Sequence, residues 1–389
     1  MSRASKSLAG SEIAIVGAGI VGLATAILAA RSGARVVLLE ADPAAQGASV
    51  RNFGLITISG QARGEVWRLS GRSRDLWEQI ASLAGLPVLQ RGMVMAAQSD
   101  EAATVLEAFL ATEMGFDCTG LDPADAARHV PALREDAIRA AAMSPRELRV
   151  DPRMALPALT AYAKSIGVDV RFRAPVAGVT PGEIRLTTGD TVQAGCIIVC
   201  AGALMGRLAP PGLARRIPAC TKLHMLRLRL RSGAGTLDIP AVSDLTLARY
   251  PGFADLPEAA GLKSRLAVSD AEMLADGIHV IAVRNGDGTV TIGDSHHDCE
   301  GDTADPFQLA DIDARILKAA NRFLDLDGAE VVERWTGAYP RAEGGDWLIE
   351  EAAPGLWFAG VLGGKGMTLS FGFGEMVLNR IGFLEGAVS

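Results

Sequence analysis

The stretch EIAIVGAGIVGLATAILAARSGARVVLLE, residues 12–40, decides the fold. Ile13–Val16 is an apolar run of strand character, and Gly17-Ala18-Gly19-Ile20-Val21-Gly22 is a glycine-punctuated turn. A helix follows to about Ser32, and Val36–Leu39 reads as a second strand. Placed between strand and helix, the glycines have separate tasks in a dinucleotide-binding unit. Gly17 permits the tight turn, Gly19 lets a diphosphate approach the backbone, and Gly22 lets helix and strand pack closely. The helix start offers unpaired N–H groups and the positive end of its dipole to the diphosphate. Glu40, closing the second strand, is placed to accept a ribose hydroxyl. Gly17, Gly19, Ile20, Val21 and Glu40 are therefore the expected contacts at this end of a cofactor. The unit alone fits FAD or NAD, and its position early in the chain favours FAD.

A hydropathy window over Ile13–Ala30 is long enough to resemble a membrane span. The ordered glycines inside it, and Arg31-Ser32-Gly33 after it, fit a buried strand and a buried helix better. MSRASKSLAG at the start lacks the apolar core of a signal peptide. Cys118, Cys196, Cys200, Cys220 and Cys299 are odd in number, scattered, and without matched zinc-ligand pairs. Reduced thiols in a cytoplasmic protein, with no metal and no membrane contact, are the expectation. A net charge of −7 argues against a nucleic-acid partner, which requires concentrated Lys and Arg. With 389 residues, 49% of them hydrophobic and 21% charged, the chain fits two joined, well-buried domains.

Beyond Glu40, the run Gly47-Ala48-Ser49-Val50-Arg51-Asn52-Phe53-Gly54 offers small residues against which a planar ring can lie. Helices are expected at Arg68–Leu83, Asp100–Met114, Pro123–His129, from Asp151-Pro152 to Ile166, at Pro306–Phe323 and at Phe371–Ile381. Strands are expected at Gly92–Ala97, Val168–Phe172, Val176–Val179, Glu183–Thr187, Ile197–Cys200 and Trp357–Ala359. Cys220–Leu230 alternates Leu with Arg in the manner of a half-exposed strand, and Asn285-Gly286-Asp287-Gly288 marks a hairpin between Ile278–Arg284 and Thr289–Gly293. The second strand-end glycine turn, Ala201-Gly202-Ala203, is where α/β sheets place ligands. Helix–strand alternation at both ends, with antiparallel strands between, predicts an α/β plus α+β architecture. A Rossmann-like nucleotide domain (1–90, 141–217 and 336–389) is interrupted by an antiparallel-sheet substrate domain (91–140 and 218–335).

Near the end of the chain, Phe358-Ala359-Gly360-Val361-Leu362-Gly363-Gly364-Lys365-Gly366-Met367-Thr368-Leu369-Ser370 leads into the last helix. Its glycines and the helix start form a second anion-friendly cradle. Such a helix end pointed at the pyrimidine edge of a flavin stabilises the charge of the reduced ring.

Here the chain resembles the D-amino-acid oxidase and glycine oxidase family, with sarcosine oxidase as a relative, over essentially its whole length. The resemblance rests on Gly17–Gly22 with Glu40, on Gly47-Ala48-Ser49 with Asn52 and Gly54, on Cys200-Ala201-Gly202, and on Gly364-Lys365-Gly366 with Thr368 and Ser370. It implies a glycine oxidase-like fold and FAD. It assigns contacts to Ala48, Ser49, Arg51, Asn52 and Gly54 at the ring face, and to Val176, Ala201 and Gly202 at the second nucleotide loop. Gly364, Lys365, Gly366, Met367 and Thr368 would stand at the pyrimidine edge. No Cys or His stands in Gly47–Gly60 or Gly360–Ser370, so non-covalent FAD is expected.

One departure bears on substrate. Glycine oxidase-like members carry an Arg in a Gly-Leu-Arg-Pro segment that binds the substrate carboxylate, where this chain has Gly337-Ala338-Tyr339-Pro340 followed by Arg341. Together with Ser49–Gly54, Trp335–Pro340 and Gly366–Gly372, this resembles a branch linked to aminophosphonate breakdown, which implies 2-aminoethylphosphonate or its N-methylated forms as substrate. A phosphonate needs several donors, and the candidates are Arg51, His296, His297, Arg341 and Lys365, with Tyr339 as a hydrogen-bond donor or a packing residue. Lys365, Tyr339 and His296 are the expected catalytic residues. Lys365 would serve substrate charge or oxygen activation, and one of the adjacent histidines would face the ligand. The expected partners are a small anionic amine and oxygen or another electron acceptor, and a homo-oligomer is left open. Competing readings are a glycine, sarcosine or D-amino-acid oxidase and a flavin-bearing electron-transfer subunit. An NAD-dependent hydroxy-acid dehydrogenase has no use for the C-terminal loop.

Overall fold

The computed structural model describes residues 7–216, 219–341 and 344–384. Its first sheet has eight strands, with Trp347–Ala353, Leu356–Val361, Thr191–Val199, Ser7–Val16, Val36–Leu39 and Asp169–Arg171 side by side in that order. Leu356–Val361 through Asp169–Arg171 pair in parallel. The hairpin Val176–Thr180 and Glu183–Leu186 joins through Thr191–Val199. Val16 is in register with both Val199 and Leu39, so Gly17 and Cys200 leave the sheet side by side at the carboxyl ends of central strands. The order of connection reverses there, and the reversal opens a crevice for a ligand.

The apolar window Ile13–Ala30 is this strand plus the helix Ile20–Arg31, which is buried nearly all round. The helix lies between the sheet and the last helix, Gly366–Arg380. A Cβ at Gly374 would stand 3.1 Å from Thr25 Oγ1, so the two helices pack backbone to backbone at that crossing. Among the described residues, no helix is long and apolar enough to cross a membrane.

The second sheet has ten strands. Its path runs His297–Glu300, Ala219–Arg229, Val290–Gly293, Ile281–Arg284, Ala241–Val242, Gln90–Ala97, Ala140–Arg149 and Leu55–Ile56, with Glu330–Arg341 also paired to Ala219–Arg229. Helices Asp100–Leu110, Ala259–Ser269 and Ala310–Asn321 close its core, in which Phe109 and Phe253 meet edge to face.

Four expectations are corrected. The boundary drawn at 140/141 falls inside the second sheet, because Ala140–Arg149 pairs along its length with Gln90–Ala97. The boundary at 335/336 likewise cuts Glu330–Arg341, a strand that pairs continuously to Arg341. Cys220–Leu230 is half-exposed only at its far end: Thr221–Leu226 are all buried, because strands flank both edges and the helix Ala310–Asn321 covers one face. The last helix starts at Gly366 rather than Phe371. Burial of Met367, Leu369 and Phe371, and donation from Trp77 Nε1 to Met367 O at 2.9 Å, outweigh the poor helix propensity of its glycine-rich start.

Candidate active site

A cavity of about 810 Å³ runs from the first glycine turn to the second sheet. At its nucleotide end the glycines are obligatory. Gly17 has φ +103°, and a Cβ there would lie 2.6 Å from Cys200 O; one at Gly22 would lie 2.0 Å from Gly17 O. The Glu40 carboxylate accepts Ala18 N–H at 2.9 Å and Asp42 N–H at 3.1 Å, which fixes it at the rim. Ser49 Oγ accepts Ile20 N–H at 2.9 Å and so ties the ring-face segment to the first helix. Val176, Ala201 and Gly202 line the facing wall.

The middle of the cavity is built from Ala48–Phe53 and the C-terminal loop. Asn52 Nδ2 donates to Ala48 O at 2.9 Å, and its Oδ1 accepts Gly54 N–H at 2.7 Å. Gly54 (φ +69°) does not line the cavity; its Cβ would strike Val150 O at 1.8 Å, so its place in the motif is a requirement of the turn. Arg51 lines the cavity and donates to Thr336 O at 3.3 Å, while its own carbonyl accepts Trp335 Nε1–H at 3.2 Å. Opposite, Gly363 and Gly364 have positive φ, and a Cβ on Gly364 would stand 3.1 Å from the Tyr339 ring. Gly364, Lys365, Gly366, Met367 and Thr368 all face the cavity. Lys365 Nζ is held by the Asp346 carboxylate, so its charge already has a partner.

The far end gathers Arg249, Tyr250, His279, Asp294, His296 and Tyr339. Arg249 lines it without an ion pair among the described residues. Burial pushes the Tyr339 hydroxyl up to about 12, against the pull of Thr221 and Arg249, so it remains a neutral donor. Burial likewise raises the Asp294 carboxyl to about 7, with Arg249 opposing. His279 and His296 are held well below the ordinary imidazole value, first by burial and then by nearby positive charge, so both are neutral at pH 7. His279 Nε2 lies 3.3 Å from Asp294 Oδ1, and His296 Nε2 3.8 Å from Asp294 Oδ2.

Among the residues expected at the substrate, Arg51, Tyr339, His296 and Lys365 meet in this cavity. His297 and Arg341 do not line it. His297 extends the strand to Glu300 and packs its ring toward His224, because neighbours on extended backbone point oppositely. Arg341 pairs with Asp298 at 3.2 Å. Sequence reasoning missed Arg249 and His279 altogether. Arg249 stands in Leu247-Ala248-Arg249-Tyr250-Pro251 with no motif, and a charged residue beside an aromatic before a proline turn is the sole available hint.

The chain matches the family described as FAD dependent oxidoreductase (DAO) over residues 12–380. It belongs to that family. The cradle fits the cofactor: glycines that a Cβ would fill at the diphosphate turn, an acid fixed at the ribose rim, and a helix start lining the far side of the cavity. FAD is therefore the cofactor of this family member. A D-amino-acid oxidase from Streptomyces coelicolor is 35% identical over 128 residues, 32% of this chain and 33% of that protein, so the match spans about a third of that relative's length. Glycine oxidase from Geobacillus kaustophilus superposes with a TM-score of 0.76 at 21% identity, covering 97% of this chain and 96% of that one. L-proline dehydrogenase from P. horikoshii superposes with a TM-score of 0.77 at 19% identity, covering 97% and 95%. These two establish the fold.

Proposed function

We propose that this family member oxidises the C–N bond of a small amine that also carries an acid group, and that the acid is a phosphonate, as in 2-aminoethylphosphonate or its N-methyl form. The observation that carries the reading is Arg249, which makes no ion pair among the described residues, beside the neutral hydroxyl of Tyr339 and near enough to the Asp294 carboxyl for its charge to be felt there. A guanidinium fork and a hydroxyl suit an anion with several acceptor oxygens, while a carboxylate and neutral imidazoles suit the amine.

Bound FAD supplies the hydride acceptor for this chemistry. The chain's own residues orient and desolvate. Arg249 and Tyr339 would hold the acid, and Leu223 and Ile281 would exclude water from the α-carbon. Gly364–Thr368 and Ala48–Asn52 would hold the ring. The iminium product hydrolyses to an aldehyde and an amine or ammonia. Oxygen or another acceptor completes turnover, and a cytoplasmic setting accords with the free cysteines. A second reading, oxidation of glycine, sarcosine or a D-amino acid, draws on the resemblance to D-amino-acid oxidase and on the fit of the Arg249 fork to a carboxylate.

Anaerobic bleaching of the flavin by a panel of amines tests the proposal, with peroxide release in air as the second readout. Bleaching by 2-aminoethylphosphonate or its N-methyl form, and not by glycine, sarcosine or D-alanine, is the expected result. Preference for the carboxylates would install the second reading, and no bleaching by any amine would sink both in favour of an electron-transfer role.

A further inference from the structure

His279 and Asp294 face each other across adjoining backbone, each accepting the other's N–H (3.2 and 2.9 Å). Their side chains are only 4% and 7% exposed, yet Asp294 Oδ1 and His279 Nδ1 have no hydrogen-bond partner among the described residues. His296 stacks on His279 with ring centroids 4.9 Å apart. Its Nδ1 lies 3.0 Å from Gly277 O, a carbonyl that can only accept. The proton of the neutral ring is therefore on Nδ1, which leaves a lone pair on Nε2 facing Asp294 Oδ2. Two acceptors, His296 Nε2 and Asp294 Oδ2, thus confront each other in the wall of the cavity with no donor between them among the described residues. A buried arrangement of this kind calls for a proton or an incoming donor.

We propose that Asp294, backed by His296, is the group that takes the proton from the substrate's ammonium and so makes the neutral amine from which hydride can leave. This rests on the amine reading above. The N–H bond breaks, its electron pair stays on nitrogen as the lone pair, and the proton ends on Asp294 Oδ2, on the side that faces His296 Nε2. The groups facing the carboxylate are His279, His296, Tyr250, Tyr339 and Arg249, and Arg249 supplies the positive charge that favours its ionised form. Burial acts the other way and brings the carboxyl to about 7, near the pH at which a base works best.

The test is the anaerobic rate of flavin reduction from pH 6 to 10 in the FAD-loaded wild type, Asp294→Asn and His296→Gln. In wild type, the rate constant rises with a midpoint near 7. Asp294→Asn slows reduction about a hundredfold at pH 7, and its rate climbs steadily to recover part of the loss at pH 10, where about a quarter of an alkylamine with a pKa near that of Lys has shed its own proton. His296→Gln retains the carboxylate and shifts the midpoint. Four results overturn the proposal: an equal loss at every pH, a loss confined to substrate affinity, a His296→Gln profile identical to wild type, or one bound metal per chain that Asp294→Asn removes. If no amine bleaches the wild type, the functional reading fails and the flavin pH-difference spectrum decides the base separately. A transition near pH 7 that Asp294→Asn abolishes upholds the ionisation, and identical spectra overturn it.

Discussion

Replacing Arg249 by Met tests the anion cradle with little structural side effect. The guanidinium lines the cavity and makes no ion pair among the described residues, so its removal orphans no carboxylate partner. Met keeps the unbranched stem that packs along the wall. A charge-assisted hydrogen bond contributes about 1.5–3 kcal/mol, and a fork on a phosphonate makes two. Arg249 is open to solvent before substrate arrives, which brings the sum down to about 3 kcal/mol, or roughly a hundredfold in Kd. The assay is the substrate dependence of anaerobic flavin reduction, run with an acidic amine and with an uncharged amine of similar size. The expected outcome is a hundredfold weaker Kd for the acidic amine and little change for the uncharged one. Arg249→Lys should restore part of the affinity, because an ammonium supplies charge without the planar fork. An equal loss for both amines, or none for either, refutes the assignment of Arg249 to the acid group.

Gly17→Ala places a Cβ 2.6 Å from Cys200 O at a φ of +103°, and it should yield a folded chain that has lost most of its FAD, read from the flavin-to-protein absorbance ratio. Lys365→Met removes a partly exposed ion pair with Asp346, so the melting temperature should move by no more than the effect of about 1 kcal/mol. Flavin reoxidation or substrate affinity should fall, and no change in either would clear Lys365 of a role. Asp294 titrates near 7 when folded and near 4 when unfolded. Between those values the folded chain holds a proton that the unfolded chain releases, so its contribution to stability declines as pH rises from about 4 to 7. Asp294→Asn should therefore flatten the denaturation midpoint over that range relative to wild type, and parallel curves would contradict the burial argument. Gly374→Val should destabilise by about 1–3 kcal/mol in denaturant melts, because the helix crossing at Thr25 has no room for a branched side chain.

The nucleotide half was legible because its chemistry is local. Strand, Gly17–Gly22 turn, helix and Glu40 lie within one short segment, and each residue's reason for being there is contained in that segment. The turn that carries the expected ring-face residues was legible for a similar reason, since Ser49, Asn52 and Gly54 fold back on their own neighbours. Long strands of the second sheet were harder. Ala140–Arg149 has no clean alternation, because it is sandwiched between partners and its burial follows tertiary packing.

The end of the cavity proposed for substrate was illegible for a different reason, and the hairpin Ile281–Gly293 makes it concrete. The turn at Asn285–Gly288 was readable, and the strands pair Ile281 with Gly293. Carrying that register outward by two residues would place His279 opposite Ser295. Instead His279 exchanges both backbone hydrogen bonds with Asp294, a slip of one residue. Because side chains alternate from face to face, that slip decides which residue His279 meets: a carboxylate rather than a hydroxyl. No periodicity announces it. Arg249 and Tyr339 reach the same place from separate segments, brought there only by the closing of the second sheet. The binding fold is thus encoded residue by residue along the chain, whereas the proposed chemistry depends on register and on segments remote in sequence. Recognition of the family accordingly fixes the cofactor, while the proposed choice of amine rests on Arg249, Tyr339 and Asp294.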